Sequence, residues 1–162
     1  MWFWNRLFVS APSGRKRFNV LGAISARTHQ LITVSNDSYI NAESVCQLLL
    51  GVAGLSLPVP VTLIMDNARY QHAQVVKELA EKLNIELLYL PAYSPNLNLI
   101  ERLWKFVKKK CLYSRYYENF DLFTGAIQEC LSKVGTETYR AELKTLLALK
   151  FQTFKDVPFV KL

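Results

Sequence analysis

Apolar residues form short runs along the first half of the chain and recur at helical spacing along the second. Two runs, at 17–24 and 30–35, flank a short polar turn and predict a β-hairpin. The run at 61–65 is uninterrupted, as in a strand buried on both faces. Another run at 85–90 follows a helical pattern at 72–83. Strand, helix and strand within about 30 residues predict a βαβ unit with two parallel strands.

The remaining apolar patterns predict helices. Asn41 or Ser38 can cap a helix that ends near Gly51 or Gly54. The order is a hairpin, a helix, a strand, a helix, a strand and then helices, which predicts an α/β domain with a mixed sheet flanked by helices. The last three helices are predicted at about 97–111, 120–134 and 138–149.

Composition and charge narrow the class of protein. The 162 residues suit one domain, and 51% of them are apolar, which is enough for a core. Twenty Lys and Arg against thirteen Asp and Glu give a net charge of +7, which favours a polyanionic partner but also suits a basic protein that binds no nucleic acid. Cys46, Cys111 and Cys130 lack the spacing of a zinc site or disulfide framework, so a reducing cytoplasm is expected.

A long uncharged interval lies between Glu43 and Asp66. Its length is close to that of a membrane span, but Pro58 and Pro60 would break a helix there. A buried helix, a turn and a buried strand explain the interval better, so no membrane partner is expected. The first residues also lack a basic stretch ahead of an apolar one, so no signal peptide is expected.

Two acids stand out by their positions. Asp66 follows the buried strand at 61–65, and Glu101 lies early in the helix at 97–111, with 34 residues between the two acids. Parallel strands of a βαβ unit end at the same edge of the sheet, where sites form in α/β proteins. The loop that leads into the Glu101 helix starts beside Asp66, so we expect the two carboxylates to be neighbours.

Glu101 borders a predicted apolar stripe, so its carboxylate needs a partner or a cation. Mg²⁺ prefers oxygen ligands, and two such ions about 3.5–4 Å apart can promote phosphodiester chemistry. Simpler alternatives remain open for each acid. Asp66 can be a turn or cap residue, and Glu101 can favour the helix dipole or pair with Lys105.

Three segments carry a resemblance to a known family. IMDNARY at 64–70, LPAYSPNLNLIERLW at 90–104 and RKRFNVLGA at 15–23 resemble the signatures of mariner-like DDE transposases of bacterial insertion sequences. The similarity spans roughly residues 2–134. It implies an RNase H-like fold, two Mg²⁺ or Mn²⁺ ions in an intact site, and DNA cleavage and strand transfer at insertion-sequence ends.

The resemblance also implies roles for individual residues. Asp66 and Glu101 match the second and third acids of the family, which are catalytic and bind the metal ions. Asn67 and Asn98 would support the site, and Tyr93 and Asn96 would shape the loop beside it.

Two features depart from the family pattern. The family often has His where this chain has Gln71, with His72 adjacent. The first acid of the family lies on a central strand upstream of a tryptophan-rich segment that matches residues 2–8, and Asp37 lies in a predicted turn, which makes it a poor substitute. We therefore expect residues 1–162 to be a single catalytic domain, truncated at its start and without a helix-turn-helix DNA-binding domain. The first central strand would be missing or replaced, either by residues 2–9 or by another chain.

Basic residues near these segments are candidates for DNA contacts, because Lys and Arg bind phosphates without reading sequence. A solvated helix face is the alternative. The resemblance leaves two functions open: a transposase catalytic domain, or a non-catalytic remnant that binds DNA or pairs with another transposase chain or a second copy. The candidate DNA-binding residues are Arg15, Lys16, Arg17, Arg69, Arg102, Lys105, Lys108 and Lys109.

Overall fold

The structure is a computed structural model that describes residues 1–10 and 16–150, with the side chains of 8–10 left aside. The strands are β1 (Trp2–Ser10), β2 (Arg17–Ser25), β3 (Leu31–Asn36), β4 (Val61–Met65) and β5 (Ile85–Tyr89), and the helices are α1 (Ala42–Ala53), α2 (Gln74–Lys82), α3 (Leu99–Cys111), α4 (Phe120–Ser132) and α5 (Arg140–Leu146). Two short 3-10 helices, Arg69–His72 and Pro95–Leu97, precede α2 and α3. Within the described residues, five strands form one mixed sheet in the order β3-β2-β1-β4-β5.

The tryptophan-rich segment is the central strand of the sheet. β1 pairs antiparallel with β2 along its whole length, and it pairs parallel with β4 through Trp2–Leu63 and Phe3–Ile64. The hypothesis that this segment fills the gap between the hairpin and the parallel pair is therefore confirmed. β2 and β4 both hydrogen-bond to β1, so the backbone groups on their facing edges are paired inside the sheet.

Successive side chains of β1 point to opposite faces of the sheet and so belong to two separate hydrophobic cores. Trp2 and Trp4 face α1 and α2, while Phe3 and Leu7 face α3, α4 and α5. Because successive side chains of a strand point to opposite faces, Asn5 lies on the same face as Phe3 and Leu7. The central strand therefore presents one polar side chain toward α3.

A glycine allows α3 to lie close to the sheet. Gly22 of β2 is opposite Asn5 in the register. A Cβ atom at Gly22 would lie 2.6 Å from Cη2 of Trp104, which is closer than atoms pack. The missing side chain thus lets Trp104 of α3 rest on β2 beside Asn5, and this contact sets the height of α3 above the central strand.

The predicted helices differ from the observed ones mainly at their ends. The pattern at 72–83 divides into a 3-10 helix and α2, which meet at Ala73. α3 begins at Leu99 instead of about 97, because the segment that starts with Pro95 forms a separate 3-10 helix. α5 is shorter at both ends than predicted. No helix in the part of the chain described above is long and apolar enough to cross a membrane.

Candidate active site

Asp66 lies where β4 ends and the chain turns away from the sheet. Its side chain is half-buried, and the next residue, Asn67, has a φ of +74°. Asn tolerates this left-handed conformation better than most residues, since its short side chain can hydrogen-bond locally. The turn leaves the Asp66 carboxylate at the carboxyl end of the parallel strands, as predicted.

Gln71 holds Asp66 in place. Its Nε2 donates to Asp66 Oδ1, and its Oε1 accepts from the backbone N–H of Ala68 at 3.0 Å. The Gln71 side chain is fully buried, and its backbone carbonyl accepts from the Tyr89 hydroxyl at 3.1 Å. Both ends of the amide are therefore engaged, which fixes one carboxylate oxygen of Asp66. From the sequence, Gln71 was only a departure from the family pattern, and no local signal indicated its contact with Asp66.

Glu101 reaches the same place from α3. It lies in the first turn of the helix and is half-buried, as the apolar stripe around it predicts. Asn5 of β1 donates its Nδ2 to Glu101 Oε1. The helix and the central strand thus meet at this carboxylate.

Asn5 is a residue of the cavity that was not predicted from the sequence. The parallel pairing of Phe3 with Ile64 places Asn5 beside Asp66, two positions further along both strands. A polar residue within the apolar segment at 2–8 was a usable signal. It gained meaning only once that segment was known to be the central strand.

Asn98 links the start of α3 to the central strand. Its Nδ2 donates to the Trp4 carbonyl at 2.8 Å, and its side chain is 1% exposed. Its Oδ1 is buried and has no hydrogen-bond partner. An unpaired buried acceptor is costly, so this oxygen indicates a place for a donor or a cation.

These residues surround a cavity of about 210 Å³ at the carboxyl end of the parallel strands. The loop between β5 and α3 forms the other wall, as expected from the sequence. The lining residues are Asn5, Asp66, Leu90, Pro91, Tyr93, Ser94, Pro95, Asn98 and Glu101.

The two carboxylates of the cavity repel each other. Burial raises the pKa of Glu101, and the negative charge of Asp66 raises it further. Lys108, Lys105 and the Asn5 hydrogen bond act in the opposite direction without cancelling the rise. The site therefore has an excess of negative charge that a cation would relieve.

The donor atoms fit a hard divalent cation. Asp66, Asn98 and Glu101 all line one cavity; the two acids supply carboxylate oxygens, and Asn98 has an amide oxygen without a partner. Mg²⁺ needs only one or two protein carboxylates and keeps several waters. Among residues 1–10 and 16–150, no cluster of three or more His, Cys, Asp or Glu side chains forms a metal site. The set thus suits a cation held by two carboxylates.

The other predicted site residues lie around the cavity. Asn67 is exposed, and its Oδ1 bonds to Nε2 of His72, whose ring stacks on Tyr89 with 4.0 Å between centroids. Tyr93 is fully exposed on the loop with a φ of +59°, and Asn96 is also exposed. Of these, only Tyr93 lines the cavity itself.

The predicted basic residues fall into three groups. Lys105, Lys108 and Lys109 lie on α3 beyond Glu101, and Lys105 and Lys109 are exposed. Arg69 is exposed in the 3-10 helix that follows Asp66. The third group lies at the start of β2, which pairs with the carboxyl end of β1. There Lys16 and Arg17 lie over the rings of Phe120 and Tyr39 at 5.1 and 6.0 Å, and Arg15 is outside the described residues.

Arg102 has a structural environment that its sequence context did not predict. Its Nη1 donates to the carbonyl of Ala148 at 2.7 Å and to that of Leu146 at 3.3 Å, and its Nη2 donates to that of Lys150 at 2.6 Å. The guanidinium thus binds the last carbonyl of α5, at Leu146, and two carbonyls of the segment that follows the helix. These contacts explain its position without DNA.

Comparisons with known proteins concern the fold and the family of the chain. The sequence is 36% identical over 59 residues to an uncharacterized protein, y4pE/y4sA, of Sinorhizobium fredii, a match that takes in 36% of this chain and 42% of that protein. The fold is similar to the Mos1 transposase catalytic domain determined with raltegravir and Mg (TM-score 0.67, 16% identity, 95% of this chain and 85% of that one). It is also similar to a chain of the simian T-cell lymphotropic virus intasome (TM-score 0.65, 14% identity, 82% of this chain).

The chain spans less than half the length of the curated relative and 46% of the intasome chain. The structural similarities confirm the RNase H-like fold that the sequence predicted. The sequence pattern of the DDE superfamily endonucleases matches residues 5–124, about three quarters of the chain. The chain belongs to the DDE superfamily endonucleases.

Proposed function

We propose that this chain is a transposase catalytic domain that cleaves DNA phosphodiesters and transfers strands at insertion-sequence ends with a divalent cation. The observation that carries the proposal is the meeting of Asp66 and Glu101 in one cavity, next to an unpartnered amide oxygen of Asn98. Membership of the endonuclease family supports it, as does the fold shared with Mos1 transposase, a protein determined with Mg and with Mn.

Asp66, Glu101 and Asn98 would hold the cation. A bound Mg²⁺ or Mn²⁺ supplies Lewis-acid polarisation of the phosphate and a lower pKa for an attacking water. The protein's own contribution is orientation: Gln71 fixes an oxygen of Asp66, and the bond from Asn98 to Trp4 fixes the start of the helix that carries Glu101. The loop residues Tyr93 and Ser94 would bound the space for the phosphate.

DNA is the proposed partner, with other transposase chains as further partners. Lys105, Lys108 and Lys109 follow Glu101 along α3, so they can bind phosphates on one side of the scissile bond. Arg69 is placed for the same purpose beyond Asp66. The guanidinium of Arg102 is engaged by α5, so we propose a smaller contribution from it.

A second candidate function is favoured by Asn5. The central strand brings an amide, not a third carboxylate, to Asp66 and Glu101. A chain with this site could retain DNA binding or pairing with another transposase while cleaving weakly or not at all. In that case it would modulate a complete enzyme.

A cleavage assay separates the two functions. The substrate is a duplex that carries terminal inverted repeats, incubated with the chain and Mg²⁺ or Mn²⁺, with DNA binding measured in parallel. The proposal predicts cleavage that Asp66→Asn and Glu101→Gln each reduce by at least about 100-fold, since each removes a ligand charge. The control Glu78→Gln removes an exposed carboxylate from α2 and should cleave normally. Binding without cleavage would favour the second function, and neither binding nor cleavage would overturn both.

A further inference from the structure

Asn5 occupies a position that decides how much positive charge the cavity can hold. The side chain projects from the central strand toward α3, beside Asp66, and donates a hydrogen bond to Glu101. Asn5 Oδ1 accepts from the backbone N–H of Arg6 at 2.6 Å. The amide therefore lies between the strand and the helix, as part of the cavity wall.

The amide does part of what a cation would do. Its N–H group satisfies a lone pair of Glu101 while the cavity contains no ion, although it adds no net charge to offset the two carboxylates. A dication that enters between Asp66 and Glu101 is matched by two negative charges. A second dication would find no further anionic side chain among the described residues that line the cavity.

We propose that the cavity binds a single divalent cation of the Mg²⁺ or Mn²⁺ class, and that the neutral amide of Asn5 is what limits it to one. Asp66, Glu101 and the free Oδ1 of Asn98 supply its protein ligands. This inference rests on the proposed function, and it revises the two ions expected from the sequence. It is separate from the question of cleavage, because ion number and affinity are measured without DNA.

The unpartnered oxygen of Asn98 is the independent indication of a ligand. The side chain is almost completely buried, and its Nδ2 is committed to the Trp4 carbonyl. Rotating the amide to satisfy Oδ1 would break that bond. The oxygen thus remains without a partner in a residue that lines the same cavity as the two carboxylates, and oxygen is the ligand atom that Mg²⁺ prefers.

The test is a titration of the whole chain with Mn²⁺, followed by calorimetry or by electron paramagnetic resonance of free Mn²⁺. We expect one ion per wild-type chain. Asn5→Asp should add a ligand charge and tighten binding by about tenfold or more, with a second ion at higher Mn²⁺ concentration. Asn5→Ala removes the amide without adding charge and should show neither gain. Asn84→Asp, at the opposite end of the parallel strands, controls for added charge alone.

Melting temperatures provide a second test of whether the neutral amide of Asn5 limits cation binding. Asn5→Asp should melt below the wild type in a chelator, because three carboxylates then repel each other, and above it in Mn²⁺ by mass action. If Asn5→Asp does not fold, a stoichiometry of one in the wild type and in Asn5→Ala still supports the inference, and a stoichiometry of two overturns it.

The outcomes distinguish this inference from the proposed function. Two ions in the wild type, or an equal gain in Asn84→Asp, would overturn the inference and leave the proposed function standing. An absence of Mn²⁺ binding in the wild type and in Asn5→Asp would overturn both. One ion in the wild type, together with no DNA cleavage, would support the inference and favour the non-catalytic function.

Discussion

The two sides of α3 carry charged residues in opposite circumstances. On the side of the cavity, Glu101 faces another acid, Asp66, and the nearby oxygen of Asn98 has no partner. On the side of α5, the guanidinium of Arg102 donates to three carbonyls, and Lys110 pairs with Glu142 at 2.8 Å. Adjacent residues of α3 thus face two kinds of region. On the cavity side polar groups lack partners within the chain, which we call unmatched, and on the α5 side they have them, which we call matched.

This difference shows how structural and functional charges can be told apart. A buried polar group costs free energy unless it is paired, so folding alone favours complete matching. The α5 side meets that condition and needs nothing from outside the chain. The cavity side does not meet it, which indicates that a ligand completes it. Substitutions on the α5 side should therefore lower the free energy of unfolding. Removing a charge on the cavity side should raise it, and only the effects on the cavity side should change when divalent cations are added.

The largest effect is expected for Arg102→Ala. The variant leaves the carbonyl of Leu146 at the end of α5, and two carbonyls of the segment after it, without their donor; hydrogen bonds of a charged group contribute about 2–3 kcal/mol in favourable cases. The free energy of unfolding, measured by urea denaturation, should fall by about that amount with or without Mn²⁺. Lys105→Ala, an exposed lysine of the same helix, is the control and should change little. Equal losses in the two variants would contradict a structural role for Arg102.

A smaller loss is expected for Gln71→Ala. The variant removes a fully buried amide that binds Asp66 and Ala68, which should cost about 1–2 kcal/mol of unfolding free energy. Because Asp66 loses its orientation, Mn²⁺ affinity should fall too, by about 10–100-fold. The matched control is Gln74→Ala, an exposed glutamine at the start of α2. A loss of stability with unchanged Mn²⁺ affinity would show that Gln71 serves packing alone.

Glu101→Gln should stabilise the cation-free protein at neutral pH. The raised pKa of Glu101 means that its ionisation opposes folding. The stability that the protonated Glu101 carboxyl contributes to the folded protein is fully present below the unfolded pKa of 4.5. It is lost as the pH rises through the higher pKa of the folded state. The gain should not exceed about 1 kcal/mol, because water screens a half-exposed side chain.

The measurement for Glu101→Gln is stability against pH in a chelator. The wild type should lose stability relative to the variant as the pH rises above 4.5. With added Mn²⁺ the wild type should be the more stable of the two proteins, since the variant has lost a ligand charge and binds the ion more weakly. Parallel curves for the two proteins would contradict the account of a charge excess in the cavity.

The smallest effect is expected for Lys110→Ala. The pair with Glu142 is exposed, and exposed ion pairs contribute little to stability. Its unfolding curve should match that of Lys109→Ala at high salt and differ from it only slightly at low salt. A loss as large as that of Arg102→Ala would show that the matched side depends on this pair more than its exposure indicates.

Much of the fold could be predicted from local patterns. The hairpin, the βαβ unit and the helix that carries Glu101 follow from apolar spacing and turn residues within short windows. The nearness of Asp66 and Glu101 followed from a rule about parallel strands. The helix ends at Leu99 and Ser132 were placed within about two residues, where capping and proline effects compete.

The sequence by itself therefore determined most helices and strands, the family and the two acids of the cavity, because each depends on residues within a short stretch of the chain. Only the tertiary structure decided that residues 2–10 form the central strand, since the parallel partner β4 is distant in sequence and no local pattern specifies strand order. That pairing brings Asn5 to Glu101. Likewise, the contacts of Arg102 exist only because α5 folds back onto α3. The charge of the site, two carboxylates and an amide, is thus a property of the sheet order.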